Sequence, residues 1–280
     1  MMKMEIAETF KRYGFEKVLD LAYQDPEKYL PYIMHFVDSI SEDRFSSQRA
    51  LVRKAIEEKD HPYHIYVRHL FHDLDPEIAK KLVTNIMIYA GIFGSKTRNE
   101  MKEIYGRKRW PWVIGMSEDY DLEEMDDMIT QGEEVGIFIY LIEEPLTEEV
   151  LDMLKEHTHS TFVFFTDGDH LDSNRMSKIM KLRNIMITLT KEKEETMALL
   201  KKKCVYFGLS SKTIDEDWFE DKMNEGYYYL WYKTKSPDEF ALLKTYRQKR
   251  PLLMVDESKD MYILENPHGS VLENIKNDRK

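Results

Sequence analysis

The sequence predicts an α/β protein: a partial (β/α)6 TIM-like barrel preceded by an all-helical N-terminal extension. Three observations predict it. Residues 122–189 read helix, strand, helix, strand, helix, strand, and strands alternating with helices imply parallel pairing. The strand-like runs are continuously apolar, as strands covered on both faces must be. Residues 1–108, ahead of these runs, read as all helical.

The extension spans residues 1–108. Residues 4–22 read as a helix interrupted near Gly14. Asp25-Pro26 opens a second helix, with proline early in the first turn where its missing N–H costs little, and that helix runs to Ser39. Ser41 or Asp43 caps a third, through Lys59. Asp60-His61-Pro62 breaks the chain, and a fourth helix ends near Asp73. Asp75-Pro76 repeats the capping device for Ile78 to Phe93, and Gly94-Ser95 turns into a helix from Lys96 to Tyr105.

The barrel is expected over residues 109–265. Trp110 to Met116 is its first strand. A helix from Leu122 to Val135 stops at Gly136, and Ile137 to Ile142 is the second strand. Glu143-Glu144-Pro145 ends it and Thr147 opens the next helix. Thr161 to Thr166 and Asn184 to Leu189 are the third and fourth strands. Cys204 to Leu209 is the fifth, followed by a helix from Thr213 to Asn224. The aromatic run Tyr227 to Tyr232 is the sixth. Ser236-Pro237 caps a helix through Gln248. Leu252 to Val255 and Met261 to Leu264 read as a hairpin across Asp256–Asp260. Residues 266–280 read as a polar tail, frayed from Asn274 onward. A doubly wound open sheet is the alternative architecture.

Bulk properties exclude several classes. Of 280 residues 42% are hydrophobic and 33% charged, which suits a globular chain with ample core. The net charge of −11 argues against nucleic acid or an anionic membrane as partner. No apolar run reaches the roughly 18 residues of a membrane span, and the first ten residues lack a signal peptide's apolar core, so a cytoplasmic location is expected. Cys204 is the one cysteine, which rules out an intrachain disulfide or a site built on several thiolates. A lone thiol at a strand start is more often inert and buried than reactive.

The chain from Asp75 onward resembles the radical S-adenosylmethionine proteins that carry a helical N-terminal extension. The resemblance runs through Asp75-Pro76, Lys80-Lys81-Leu82 and Asn85, then Phe93-Gly94 and Trp110-Pro111-Trp112. Glu144-Pro145-Leu146 stands where that family has Gly-Gly-Glu-Pro-Leu. Phe164 to Gly168 stands where it has a strand ending in Thr-Asn-Gly. Asp215 to Trp231 matches its fifth helix and sixth strand. No single motif is strong; the ordered series carries the likeness. It implies a cofactor loop after the first strand, where the family has C-x3-C-x2-C for a 4Fe-4S cluster that reduces S-adenosylmethionine. Here that loop is Gly115 to Asp121, short and without cysteine. The family glycines beside the methionine moiety align with Ile142 and Glu143, side chains where bare backbone is needed. No cofactor is therefore expected: no 4Fe-4S cluster, and weak or absent S-adenosylmethionine binding.

Barrel sites lie at the C-terminal ends of strands. Candidate ligand-binding residues there are Glu143, Glu144, Pro145, Thr166, Asp167 and Ser210, with Lys233 beside them. Glu118, Asp119 and Asp169 are candidate ligands for Mg²⁺ or Ca²⁺, which take oxygen donors. Asp and Glu at these positions more commonly cap helices and face solvent. His61, His64, His69 and His72 share one helical segment, at spacings that suit a shared face, but without a metal-protease motif; a structural role is the ordinary one. Tyr227 to Tyr232 could stack a base but at strand spacing read as core. No catalytic residue can be assigned.

Two functions remain. The favoured one is a cluster-less, radical-SAM-like protein that binds or regulates without catalysis, with another protein chain, such as an active relative, as partner. The other is a cluster-free enzyme using the acidic mouth with a divalent metal on a small polar substrate. The helical extension either recognises that partner or merely plugs the barrel.

Overall fold

The computed structural model describes residues 6–41, 46–143, 146–212, 215–222, 225–250 and 252–278. Strands β1 (Val113–Met116), β2 (Ile139–Ile142), β3 (Thr161–Thr166), β4 (Ile185–Leu189), β5 (Phe207–Ser211), β6 (Tyr229–Tyr232), β7 (Leu253–Asp256) and β8 (Ile263–Glu265) form one sheet. Its order is β7-β6-β5-β4-β3-β2-β1-β8, and every pair is parallel. The order never reverses, so there is no switch point and the doubly wound alternative is excluded. Strands β2 and β4 are buried at every position, as their unbroken apolar runs require.

The hairpin expected at Asp256–Asp260 does not form. β7 and β8 lie at opposite edges of the sheet, joined by the single-turn helix α13 (Glu257–Asp260). Residues 257–262 reach at most about 24 Å when fully extended. The sheet is therefore curled until its two edges lie within that reach. A buried Asp256 fixes the β7 end: its carboxylate accepts from the Thr234 N–H (3.2 Å) and hydroxyl (2.7 Å) and caps α13 through the Ser258 N–H (3.0 Å).

Helices α7 (Leu122–Glu134), α8 (Glu148–Met153), α9 (Ser173–Leu182), α10 (Glu194–Lys202), α11 (Glu216–Lys222) and α12 (Pro237–Lys249) alternate with the strands. Asp121 and Ser236 each build a capping box with the glutamate three residues on. Cys204 does not start β5. It sits at φ +50° in the turn that ends α10, half-buried, its N–H donating to Lys201 O. The segment read as a polar tail instead contains α14 (Val271–Asn277), whose Val271 and Ile275 are fully buried, and which contacts α7.

The N-terminal region is helical: α1 (Ile6–Gln24), α2 (Pro26–Ile40), α3 (Ser46–Glu57), α4 (Pro62–Asp73), α5 (Pro76–Thr84), a π-helical segment (Asn85–Phe93) and α6 (Gly94–Ile104). Two expected breaks are absent because the glycines serve packing. A Cβ on Gly14 would stand 2.8 Å from the Phe36 ring, so Gly14 lets α1 and α2 approach without interrupting α1. A Cβ on Gly94 would stand 2.5 Å from Gly136 O, and Gly94 keeps helical φ, so no turn occurs there. Ser41 ends α2 in place of starting α3, its hydroxyl bonding Val37 O; Asp43 lies outside the described residues.

This region covers the starts of five successive strands. Arg98 donates to Gly136 O before β2. Asn85 donates to Thr158 O (3.0 Å) and Ser160 O (2.7 Å) before β3. Arg183, before β4, pairs with Glu77 (3.1 Å). The Asp75 N–H donates to Cys204 O (3.1 Å), and the Tyr66 and Tyr206 hydroxyls bond at 2.6 Å, both before β5. Tyr228, before β6, has its pKa pushed up to about 12 by burial, with the Asp73 carboxylate of α4 adding to the shift. No described helix is long and apolar enough to cross a membrane.

Candidate functional site

The C-terminal ends of β8, β1, β2, β3, β6 and β7 enclose a cavity of about 180 Å³. Glu143, Lys233, Glu257, Glu265, Asn266 and Ser117 supply its polar lining; Met116, Leu141, Phe165 and Ile263 are apolar. Across the interior, Phe165 meets Trp231 edge to face at 5.3 Å. Lys233 Nζ lies 2.8 Å from Glu257 Oε1, and Trp231 Nε1 donates to the other oxygen of that carboxylate at 3.1 Å. The hydrogen bond to Glu257 raises the Lys233 pKa against desolvation, and the nearby Glu265 and Glu143 charges add to the shift. Glu257 thus pairs with this ammonium directly, and the Glu265 and Glu143 charges act on it from further off. Gly115 eases the packing of β1 against β8: a Cβ there would stand 3.3 Å from Ile263.

The loop after β1 is tied to the segment after β8. The Ser117 N–H donates to Asn266 Oδ1 (2.9 Å), the Asn266 N–H donates to Gly115 O (2.8 Å), and Tyr120 donates to Pro267 O. The Tyr120 ring stacks on His268 at 4.9 Å, and Asp121 then caps α7. Glu118 and Asp119 are exposed on this loop; Ser117 Oγ donates to Asp119 at 3.4 Å.

The other sequence-derived candidates do not line this cavity. Thr166 Oγ1 accepts from the Gly168 N–H (3.1 Å) and shapes the turn after β3. Asp167 accepts from the Asp169 N–H and pairs with Lys191 (3.1 Å) and Lys193 (4.0 Å), which holds its pKa down to about 2. Asp169 pairs with Lys193. Ser210 lines a separate opening with Thr190, Lys191 and Trp218. Glu144 and Pro145 lie outside the described residues. No group of three or more His, Cys, Asp or Glu among the described residues is placed to hold a metal.

The histidines do not converge. His61 caps α4, and buried His64 bonds Ile56 O (2.6 Å). His69 and His72 are exposed, the latter against Asp73. Tyr229 and Tyr232 are core, Tyr229 bonding the Thr188 hydroxyl at 2.8 Å. The residues that sequence reasoning missed are Glu257, Glu265 and Asn266. Each directly follows or ends β7 or β8, the position that marked Glu143 and Asp167, but the hairpin reading put Glu257 in a turn and left Glu265 and Asn266 at the boundary of the polar tail.

No family model matches the chain, and no curated protein matches it. Among solved structures it is similar to SuiB of Streptococcus suis. SuiB bound to S-adenosylmethionine aligns at 9% identity and TM-score 0.43, over 60% of this chain and 52% of that one. SuiB alone aligns at 7% identity and SuiB bound to the precursor peptide SuiA at 6%, each at TM-score 0.43 over 60% of this chain and 54% of that one. The chain spans about half the length of these proteins.

Proposed function

We propose that this chain is a cluster-less, radical-SAM-like protein that acts by binding, as a regulatory subunit beside another protein chain. The observation that carries this reading is the loop after β1. It holds no cysteine, and its backbone and Tyr120 are committed to the segment after β8. The donor set does not fit a 4Fe-4S cluster, which needs three thiolates from that loop. The single thiol, Cys204, lies before β5, at the other end of the strands from the mouth. The mouth itself suits a small ammonium-bearing molecule: three carboxylates line it, and an incoming ammonium can take the place of Lys233 beside Glu257. The metal-enzyme reading has less support, because Lys191, Lys193 and Lys233 pair with Asp167, Asp169 and Glu257, and Glu118 and Asp119 stand outside the cavity lining.

Anaerobic reconstitution with iron and sulfide tests the proposal. The expected outcome is no stoichiometric cluster spectrum. Four irons per chain with thiolate-to-iron absorption would overturn it. Co-purification with a cluster-bearing chain is the expected positive result for the subunit role.

A further inference from the structure

On the strand-start side of the molecule, a groove of about 250 Å³ runs between α1, α5 and the residue that ends α9. Tyr13, Glu16, Lys17 and Asp20 recur at helical spacing along its α1 wall. Glu77, Lys80 and Lys81 stand on the α5 wall, and Arg183 closes one end against Glu77. The carboxylates of this groove are all engaged. Asp20 pairs with Lys17 (3.3 Å) and Lys80 (2.9 Å), Glu77 with Lys80 and Arg183 (3.1 Å), and Glu16 with Arg12 (3.7 Å).

One cation is left over. Lys81 lines the groove half-buried, with no hydrogen bond or ion pair among the described residues. Burial lowers its pKa; the Glu16 charge opposes that shift, and the Arg12 and Arg183 charges add to it. An ammonium half out of water, beside two like charges and without a counter-ion, is unfavourable until an anion completes the set. Arg183 has donors to spare as well. One of its nitrogens holds Glu77, and the others have no partner among the described residues. It also occupies a left-handed position (φ +65°) where glycine is the ordinary residue, so its side chain is there at a conformational cost. With Arg12, five cations face three carboxylates, on a chain whose net charge is −11.

We propose that this groove binds a small organic phosphomonoester, its phosphate between Lys81 and Arg183 and its organic part along Tyr13. A dianion matches the two surplus positive charges, and an ammonium with a guanidinium fork is the donor set that phosphate oxygens accept. Tyr13 supplies the one ring in the lining and is 57% exposed, so its face is open to a ligand. By proportion with a 150 Å³ cavity that takes benzene, the groove holds roughly ten heavy atoms, enough for a phosphate and one ring. The groove lies on the far side of the strands from the mouth, so it stands or falls independently of the mouth.

Phenyl phosphate and inorganic phosphate are titrated into the full chain by calorimetry. One saturable phenyl phosphate site per chain is expected, with inorganic phosphate weaker by about tenfold or more. The Lys81 ammonium, followed by NMR, should titrate below the ordinary lysine value in the free chain and move up when phenyl phosphate is bound. Lys81→Met should weaken phenyl phosphate by about tenfold or more while the melting temperature holds or rises, because it removes an unpaired, half-buried charge. Arg183→Gly suits the left-handed backbone and so keeps the fold; it should weaken phenyl phosphate by about threefold to tenfold. Glu16→Gln, which removes the carboxylate acting on Lys81, should tighten it. Inorganic phosphate bound as tightly as phenyl phosphate would reduce the groove to an ion-exchange patch and overturn the proposal. So would non-saturating heats, or an affinity unchanged in Lys81→Met.

Discussion

Asp167 shows how a residue's neighbours decide its chemistry. The Asp169 N–H and the Lys191 ammonium stabilise its charged form, so its pKa falls to about 2. A depressed carboxyl stabilises the fold fully above the unfolded value near 4, and that contribution is lost as the pH falls toward 2. Following the Asp167 carboxyl carbon by NMR should give a midpoint near 2 that rises in Lys191→Met. A midpoint at the ordinary aspartate value in the unaltered chain would refute the assignment. Glu143 has the contrary setting: it lines the mouth and is exposed. The resemblance puts bare backbone at that position, so S-adenosylmethionine should bind more weakly than about 1 mM, less than about 4 kcal/mol. Calorimetry should show Glu143→Gly binding it more tightly, and micromolar binding by the unaltered chain would defeat the steric argument. Both residues were legible in the sequence as strand-end carboxylates. Their fates were not, because Lys191 lies 24 positions from Asp167 and only the folded chain brings the two together.

At the scale of elements, period and capping carried most of the reading. The buried runs of β2, β3 and β4 and the caps at Asp25, Asp75, Thr147 and Ser236 are where the residues put them. Glycine misled at two contacts. Gly14 and Gly94 read as breaks, yet each sits inside a helix that presses on a neighbour. Gly132, read as interior to α7 and found there, also serves contact: a Cβ would run into Tyr140 Oη and stand 3.0 Å from Ile114 Cδ1. Tyr140 cannot easily yield, since its hydroxyl donates to Ile129 O and Ile137 O, both at 2.9 Å. Gly132→Ala should therefore destabilise by about 1–3 kcal/mol in urea unfolding. The cost should fall when Tyr140→Phe removes the clashing oxygen, and an equal cost in both backgrounds would place the strain elsewhere. The β7–β8 hairpin failed for a different reason. Two short strands separated by a polar turn look alike whether they pair together or across a curled sheet, and only the sheet order tells them apart.

Over the whole molecule, helical region and sheet share one buried cluster that runs from Phe15 to Ile275. The contacts at the strand starts are polar as well as apolar, and several satisfy backbone that the sheet alone leaves unpaired. Asn85 serves the carbonyls of Thr158 and Ser160, and Arg98 serves those of Gly136 and Ala90. Tyr206 is 7% exposed only because α4 covers it. Removing residues 1–108 would uncover these groups together with Tyr89's partners Phe138 and His159. Buried polar groups that lose their partners cost about 1–3 kcal/mol each, which over several sites rivals the stability of an ordinary domain. A chain of residues 109–280 is therefore expected to fail to fold alone, showing no cooperative melting by circular dichroism and exposing apolar surface to a hydrophobic dye. The full chain should melt in one transition, with helix and tryptophan signals moving together, since Trp110, Trp112 and Trp231 report on the sheet while the N-terminal helices dominate the far-ultraviolet signal. A cooperative melt of residues 109–280 near the full chain's temperature would show that the extension is dispensable for the fold and free for recognition. Its absence would make the extension the floor of the barrel, and leave binding to the mouth.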